Sequence, residues 1–469
     1  MKTFNIAIVG LGNIGLEVYK NLLKNKKNIL DKTGFKINVS HVCAKNLKKN
    51  RGISIPKKLW ISNPLDLPKS KNIDIIVELI GGSDGIAKKL AFASIKNGKH
   101  FVTANKALIA KHGDKLSILA EKNSVNLLFE ASVAGGIPII RSLKQGLIAN
   151  KIKHIYGILN GTTNFILTEM EKKGSTFTEA LKYAKVKGYA ESNPLADLSG
   201  NDVACKISIL SSICFGSKIL NKGFLVEGIS NIDILDILFA KKIGYRIKLL
   251  GIAEIVNNQI KQRVHPALIP ADLDIANING VTNAVVVDGE PIGRTIYEGA
   301  GAGKGPTSSS IISDIASVMV GNDDFSFGLS PAAKKNYKLF NFGHHVSKYY
   351  LRFLVHDKPG VLSIITSVLA KNKISIQNLL QDPSQSSISN VMIITHRAME
   401  KSIQSVVKIL SKNKKLFKKI VMIRVRDARS AAAGGVSSVA TRSASRWFSA
   451  RTRSSSAAME DVDCSIMRM

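Results

Sequence analysis

Three carboxylates and one lysine fall in one short stretch of the chain: Glu191, Asp197, Asp202 and Lys206. Asp202 and Lys206 are four residues apart, and the apolar run 207–210 that follows predicts a buried helix. At that spacing both side chains lie on one helix face. Charges that enter a core need partners, and the acidic loop upstream can supply them. The alternative is an idle surface ion pair, which the apolar turn disfavours.

The residue pattern of this stretch resembles a family signature. Gly-Tyr-Ala-Glu at 188–191, then Asn-Pro-x-x-Asp and Gly-x-Asp-x-x-x-Lys, is similar to the pattern of homoserine dehydrogenases. The departure is Asn193, where that family usually has Asp, and we expect this position only to shape the loop. The resemblance implies NAD(P)H-dependent, reversible reduction of L-aspartate 4-semialdehyde to L-homoserine, a step of threonine, methionine and isoleucine biosynthesis.

The resemblance also implies roles for single residues. Lys206 is the expected proton donor, with Asp202 fixing its position or holding the substrate. Glu191 and Asp197 suit the α-ammonium group of the substrate, and Gly188 approaches the cofactor. Lys106 suits the substrate carboxylate or a proton relay, so spacing leaves open which lysine gives the proton.

A nucleotide-binding turn is predicted near the N-terminus. Residues 4–9 read as a buried strand, and the helical pattern after them starts within the sequence Gly10-Leu11-Gly12-Asn13-Ile14-Gly15. A strand, a glycine-rich turn and a helix together predict a Rossmann-type domain, in which the helix N-terminus faces a pyrophosphate. The residues expected to bind cofactor here are Gly10, Gly12, Asn13, Ile14 and Gly15.

The second strand predicts the cofactor preference. NAD-selective folds place Asp or Glu at its end to bind the ribose 2′-hydroxyl, but this chain has Ala44-Lys45-Asn46 there. A cation favours a 2′-phosphate, so Lys45 indicates NADP, with NAD as the alternative if Lys45 is only a solvated loop residue.

A later strand also ends in polar residues. Strand 100–103 leads into Thr103-Ala104-Asn105-Lys106, and ligands bind at the carboxyl ends of parallel strands. Thr103 and Lys106 are therefore expected at the nicotinamide or the substrate, as this Thr-Ala-Asn-Lys sequence also implies in the resembling family.

A strand is predicted over Leu127–Val133, followed by a glycine-containing turn. The family resemblance implies a monovalent cation such as Na⁺ or K⁺, bound largely through backbone carbonyls. The matching positions are Glu130, Val133, Gly135 and Ile137. From the residues alone, a plain strand-to-helix turn is the alternative.

The chain is long enough for about three domains. The predicted fold class is α/β: a Rossmann-type domain at 1–135 that 306–325 completes, an α+β catalytic and dimerisation domain at 136–305, and a linker at 326–347. Helices are expected near 163–173, 177–187 and 200–215, with strands near 245–256, 259–266 and 281–288. The glycine-rich loop before 308 should place Gly303 at the cofactor. The exposed face of the second sheet is a candidate dimer surface.

Residues 348–426 predict a βαββαβ unit, and the sequence Asp357-Lys358-Pro359-Gly360-Val361-Leu362 resembles that of an ACT domain. Such domains pair side by side and bind amino acids, which implies threonine as a feedback effector and a homodimer or homotetramer. A purely structural dimerisation module is the alternative.

The amino-acid composition argues against several other classes of protein, including nucleic-acid-binding and membrane proteins. The formal net charge of +33 comes mostly from lysine spread through the body, without the spacing or aromatic stripe of nucleic-acid binding. No apolar run reaches the 18 or more residues of a membrane span. The four cysteines show no metal or disulfide spacing, as expected in the cytoplasm.

The tail 427–469 is rich in Ala, Ser and Arg and is predicted to be disordered. It is either a regulatory tail or the product of a shifted reading frame or a join.

Two rival functions are weighed against this one. A phosphorylating semialdehyde dehydrogenase needs a cysteine nucleophile with a base, but Cys205 lies inside a predicted helix and Cys43 at a strand end. A non-catalytic amino-acid sensor that binds a nucleotide would not need Asp202 and Lys206.

Overall fold

The computed structural model describes residues 2–47, 49–321, 324–381 and 387–426. The tail for which disorder is predicted, 427–469, lies outside the described residues.

The N-terminal part of the chain forms a five-stranded parallel sheet in the order β2-β1-β3-β4-β5. Its strands are β1 Thr3–Val9, β2 Lys36–Cys43, β3 Ile75–Glu78, β4 His100–Thr103 and β5 Leu127–Leu128. The helices between them are α1 Asn13–Lys24, α2 Lys26–Thr33, α3 Ile86–Lys96 and α4 Lys106–Lys122. Consecutive β1 residues such as Ile6, Ala7 and Ile8 are all buried, because helices cover both faces of a parallel sheet. The Rossmann-type prediction is confirmed.

The strand predicted over Leu127–Val133 was too long. Strand β5 ends at Leu128, and a 3₁₀ turn covers Glu130–Ser132. The backbone leaves the sheet because the Glu130 N–H donates to the Asp314 carboxylate at 2.9 Å. The Glu130 carboxylate in turn accepts the backbone N–H groups of Ile140 and Arg141.

A second, mixed sheet begins after residue 150 and places antiparallel neighbours in the order β11-β10-β6-β8-β9. Its strands are β6 Lys151–Ile158, β7 Leu225–Val226, β8 Tyr245–Val256, β9 Gln259–Pro270, β10 Thr282–Glu290 and β11 Gly293–Ala300. The accompanying helices are α5 Ile139–Arg141, α6 Gly161–Lys173, α7 Phe177–Val186, α8 Leu195–Leu198, α9 Asn201–Phe215 and α10 Ile234–Lys242.

The central strands of this sheet are packed on both faces within the chain, whereas the edge strand β11 is half-buried or exposed along its length. Ile155 and Leu249 face the core with α9, while Tyr156 and Leu250 on the other face pack against the turn around Ile275. Residues 274–278 cover part of the face that was expected to be exposed, and a dimer surface on this sheet stays a prediction. A homo-oligomer stays a prediction.

Helix α11, Lys304–Met319, returns to the first sheet. Its Ile311 and Ile315 share one core with Ile6 of β1 and Val18 of α1. The segment 326–347, predicted as a linker, has little regular structure but is anchored by Phe327, whose ring contacts Phe129 with centroids 5.0 Å apart.

The C-terminal elements form the predicted βαββαβ unit. They are β13 Val346–His356, α12 Val361–Lys371, β14 Ile376–Gln381, β15 Ile388–Thr395, α13 Glu400–Ser411 and β17 Phe417–Val425. Two further short strands are β12 Lys338–Leu339, which pairs with β9, and β16 Ala398–Met399, which pairs with β13. The four long strands are antiparallel in the order β17-β13-β15-β14. Strand β17 also pairs with β9 in parallel, through Arg424 with Ala267 and Val425 with Leu268. The two sheets are thus joined edge to edge.

In the part of the chain that the structure describes, no helix is both long and apolar enough to cross a membrane.

Candidate active site

Two lysines share one buried carboxylate where the start of α4 meets the start of α9. Lys106 Nζ lies 2.7 Å from Asp202 Oδ1, and Lys206 Nζ lies 2.7 Å from Asp202 Oδ2. The side chains of Asp202 and Lys206 are 4% and 11% exposed, whereas that of Lys106 is 42% exposed. The structure therefore brings the three predicted catalytic residues together, with Lys106 on the open side.

Lys106 is placed by a chain of contacts at the end of β4. It is the first residue of α4, which Asn105 caps by accepting the Leu108 N–H. The Asn105 N–H donates to Thr103 Oγ1, and that hydroxyl donates to the buried Glu78. Thr103, predicted to bind the cofactor, thus has its hydroxyl inside the protein, where it fixes the turn that presents Lys106.

Asp202 and Lys206 lie on α9, whose remaining residues are nearly all buried. Burial acts to raise the pKa of Asp202, but the ammonium groups of Lys206 and Lys106 and the Asn160 amide outweigh it, so that pKa lies well below its usual range. Burial acts to lower the pKa of Lys106, and its contact with Asp202 more than offsets this, so the pKa is raised. The site is a charged carboxylate between cations.

The turn after β6 contributes two contacts that the sequence did not predict. The carbonyl oxygen of Leu159 accepts Lys206 Nζ at 2.6 Å, and Asn160 Nδ2 donates to Asp202 Oδ2 at 2.9 Å. The same amide donates to Asp197 Oδ1 at 2.8 Å. The sequence showed only a turn here, because these partners are far from Asn160 along the chain.

Of the two predicted substrate carboxylates, the structure brings Asp197 beside this cluster. Asp197 is half-buried at the end of the short helix α8, within reach of the Asn160 amide. Glu191 is exposed on the loop before α8. Gly188 has φ of +73° and ends the α7 segment on the surface.

The glycine-rich turn between β1 and α1 fits a pyrophosphate. A Cβ on Gly15 would lie 1.9 Å from the Gly10 carbonyl oxygen, so this pair must approach closely. A Cβ on Gly12 would meet open space at the start of α1. Within the described residues, no side chain caps that N-terminus and no acid lies in its first turn, which leaves the N–H groups near Asn13 and Ile14 for an anion.

Cations border the far end of this turn. Lys45 is exposed just beyond β2. Arg51, not among the predicted cofactor residues, donates to the Leu11 carbonyl oxygen at 3.3 Å and lies over the Trp60 ring. Gly303, predicted to lie at the cofactor, has φ of +112° and directly precedes α11.

The predicted cation residues form the tight turn before α5. Ala134 and Gly135 both have positive φ, at 55° and 51°. The Glu130 carboxylate already holds two backbone N–H groups, and Gly135 O accepts Ser310 Oγ at 2.7 Å. Any cation here would be held through backbone carbonyl oxygens rather than this carboxylate.

The chain was compared with known proteins. Family models match residues 10–130 as "Homoserine dehydrogenase, NAD binding domain", 138–316 as "Homoserine dehydrogenase" and 349–414 as "ACT domain". A homoserine dehydrogenase of Neisseria gonorrhoeae is 41% identical over 91% of this chain and 99% of its own.

Solved structures agree with these matches. A homoserine dehydrogenase from Thiobacillus denitrificans superposes with a TM-score of 0.84 and 39% identity over 91% of this chain and 99% of its own. A hyperthermophilic archaeal homoserine dehydrogenase, solved with NADPH, reaches a TM-score of 0.57 and 25% identity over 67% of this chain and 97% of its own.

The fold and the matched models define an NAD(P)-dependent oxidoreductase that acts on a CH–OH group and carries a C-terminal ACT domain. The chain belongs to the homoserine dehydrogenase family.

Proposed function

We propose that the cluster of Lys106, Asp202 and Lys206 carries out the interconversion of L-aspartate 4-semialdehyde and L-homoserine. The observation that carries this proposal is the single carboxylate that two ammonium groups share beside the open end of the first sheet. A bound nicotinamide cofactor would supply the hydride to the aldehyde carbon. The protein must then manage the charge on the aldehyde oxygen and deliver one proton to it.

Lys206 is the proposed proton donor. Its ammonium is held by Leu159 O and Asp202 Oδ2, so its direction is set before substrate binds. An ammonium beside the aldehyde oxygen stabilises the developing negative charge and transfers a proton to give the hydroxyl group. In the reverse direction the neutral amine accepts that proton.

Lys106 and the acidic loop are proposed to bind the rest of the substrate. Lys106 is the most exposed of the three charged groups, which suits a substrate carboxylate or a proton relay to solvent. Asp197 and Glu191 supply the negative charge that an α-ammonium group requires.

The direct test is consumption of NADPH by the purified protein when L-aspartate 4-semialdehyde is added. Turnover should depend on both reactants, and L-homoserine with NADP⁺ should drive the reverse reaction. NADPH binding without turnover of either substrate would instead support the non-catalytic sensor.

We propose NADP as the preferred cofactor. The support is the positive charge of Lys45 and Arg51 beyond the glycine-rich turn, together with NADPH in the archaeal relative. The ratio of kcat/KM for NADPH and NADH tests this, and Lys45→Ala should lower that ratio. A preference for NADH in the unaltered protein would contradict the proposal.

A monovalent cation is proposed at the turn 133–137, with Glu130, Val133, Gly135 and Ile137 contributing backbone oxygens. Hard oxygen ligands suit Na⁺ or K⁺. Activity in potassium chloride or sodium chloride should exceed activity in choline chloride at equal ionic strength, and equal rates in all three salts would contradict the site.

Threonine is the proposed effector of the ACT domain. The turn before α12 lines an open pocket with Asp357, Gly360 and Gln381, where Asp357 can meet an amino-acid ammonium group. Titration of threonine should inhibit the full-length protein, and Asp357→Asn should weaken that inhibition without changing the uninhibited rate. The absence of any response would leave the module a structural one.

We further propose the domain boundaries predicted from the sequence: 1–135 with 306–325, 136–305, 326–347 and 348–426. The shared core of β1, α1 and α11 supports the first of these, and a separate core of β13, α12 and α13 supports the last.

We also propose that the protein is located in the cytoplasm. The three cysteines within the described ranges are free thiols, which suits a reducing compartment.

A further inference from the structure

A single amide side chain links the two carboxylates of the active site. Asn160 is buried at the end of β6, and its Nδ2 donates to Asp197 Oδ1 at 2.8 Å and to Asp202 Oδ2 at 2.9 Å. Its Oδ1 accepts the Thr163 N–H at 2.9 Å and the Thr163 hydroxyl at 3.0 Å. Both donor hydrogens of the amide reach carboxylates and its oxygen accepts a backbone N–H, so the Asn160 side chain has one orientation.

The backbone around Asn160 is also fixed. A Cβ on the next residue, Gly161, would lie 2.7 Å from the Val281 carbonyl oxygen, so the residue that precedes β10 packs directly against this turn. The preceding carbonyl, from Leu159, holds Lys206 Nζ. The turn after β6 therefore holds the carboxylate of Asp202 and the ammonium of Lys206 from two successive residues.

The chemistry of an amide suits this position. Two nearby carboxylates repel each other, and hydrogen-bond donation to both favours their ionised forms. A lysine here would donate equally well, but its charge would cancel the negative potential that attracts a substrate ammonium group. An amide orders the two carboxylates while leaving that potential in place.

We propose that Asn160 is a positioning residue for the dehydrogenase reaction: its amide holds Asp197 toward the substrate ammonium group and Asp202 between the two lysines. This inference rests on the proposed function and deepens it. Asn160 is expected to act on substrate binding and turnover through these carboxylates, without contacting the substrate itself.

Asn160 also caps α6, and this structural role must be separated from the positioning role. Asp and Ser are N-caps about as good as Asn. Asn160→Asp and Asn160→Ser therefore keep the cap acceptor while removing the amide donors. If Asn160 only caps α6, both variants should match the unaltered protein in melting temperature, kcat and KM.

The test compares these variants in NADPH-dependent reduction of L-aspartate 4-semialdehyde across pH. For Asn160→Asp we expect an unchanged Kd for NADPH by fluorescence, a raised substrate KM and a kcat/KM at least about tenfold lower at pH 8. The loss relative to the unaltered protein should grow as the pH rises. A protonated Asp can still donate one hydrogen bond, whereas an ionised Asp repels both neighbours.

Asn160→Ser keeps the test decisive if the added charge prevents folding. Its hydroxyl can cap α6 but cannot span both carboxylates, so kcat/KM should fall without the added pH dependence. Thr176→Ala is the matched control, because Thr176 caps the neighbouring helix α7 away from the site, and should lower the melting temperature with unchanged kcat/KM. A kcat/KM of the Ser variant equal to that of the unaltered protein would overturn the proposal. Failure of the proposed function would instead appear as an inactive unaltered protein.

Discussion

At the scale of single residues, the site depends on one carboxylate whose two oxygens contact different lysines. Asp202 Oδ1 contacts Lys106, which follows strand β4 of the first sheet, and Oδ2 contacts Lys206 on the same helix as Asp202. Burying such charges costs desolvation energy, which the close pairing offsets. The arrangement is better explained by the need to hold two ammonium groups at a fixed separation than by a gain in stability.

Asp202→Asn should therefore disturb both lysines. The pKa of Lys106 is raised by Asp202 against the lowering effect of burial, so losing the charge should lower that pKa. We expect kcat/KM to fall by about 100-fold or more. In the pH profile of kcat/KM, the limb on the basic side should move to lower pH. The pH dependence of kcat/KM measures this, with Glu169→Gln, a carboxylate paired with Lys173 on α6, as the control. An unmoved basic limb would mean that Lys106 does not titrate in the reaction.

The sequence predicted the three charged residues but not everything that holds them. Asp202 and Lys206 could be paired from their spacing on one helix, and Lys106 from its place after a parallel strand. Their catalytic roles remain proposals. Asn160 was missed because its partners are 37 and 42 residues away, and no local periodicity reports a hydrogen bond of that range.

At the scale of elements, the start of α1 is the clearest preformed binding feature. The strand order turns at β1 and β3, where open α/β sheets bind ligands. Gly10 and Gly15 are packed against backbone atoms, while Gly12 borders open space. One turn thus contains glycines required by the fold and a glycine whose missing side chain leaves room for a ligand.

Gly12→Ala and Gly15→Ala should separate these two requirements. The Gly12 backbone has φ of −76°, so alanine should fold normally but raise the Kd for NADPH about tenfold, or about 1.4 kcal/mol. The Gly15 change forces Cβ against the Gly10 carbonyl oxygen and should lower the melting temperature as well. Fluorescence titration and thermal unfolding measure the two effects. Unchanged NADPH affinity in Gly12→Ala would place the pyrophosphate elsewhere.

The limits of helices and strands were predicted accurately where the sequence has one clear hydrophobic pattern. Helix α9 and strand β8 begin and end within a residue of their predicted limits, since each is a long apolar segment. Helix α2, with the polar sequence KKNILDKT, gave little periodic signal and was missed. Strand β5 was overextended because the apolar residues after it serve a turn held by distant α11 contacts.

At the scale of the whole molecule, the buried Arg424 of the ACT unit forms an ion pair with a half-exposed carboxylate beside the catalytic sheet. The Arg424 guanidinium on β17 donates to Glu400 of α13 and, at 2.6 Å, to Glu227 beside β7. Residues after Glu227 contact α8 in turn, since the Ile229 N–H donates to the Leu198 carbonyl oxygen at 3.0 Å. Leu198 is adjacent to Asp197, so one short chain of contacts joins the two units.

Arg424→Met should break this link. Glu400 is fully buried, and removing one partner of a buried pair costs about 3–5 kcal/mol of unfolding free energy. Adding Glu400→Gln should recover part of that loss while the contact with Glu227 stays absent. Chemical denaturation of the single and double variants tests this, and any threonine response should weaken in both. Single and double variants of equal stability would contradict the account.

The stability of the folded protein is also expected to decrease in acid, because of the buried His345. Burial, with Arg263 and Lys261 nearby, lowers the pKa of His345 to about 2, against about 6.5 when unfolded. Between these values the unfolded chain binds the extra proton, so this residue's contribution to stability is lost as the pH falls below about 6.5. His345→Gln should reduce the slope of unfolding free energy between pH 6 and 4 by up to about 1.4 kcal/mol per pH unit. An unchanged slope in denaturant titrations would mean that His345 is protonated in the folded state.

The central claim is that the Lys206 ammonium performs chemistry at the cleft rather than supporting the fold. Lys206→Ala is the most direct measurement, with the exposed Lys173→Ala as control. We predict a kcat lower by about 100-fold or more, a Kd for NADPH within about twofold of the unaltered value, and a folded protein by circular dichroism. Retention of kcat in Lys206→Ala, or equal loss of NADPH binding and turnover, would contradict the account.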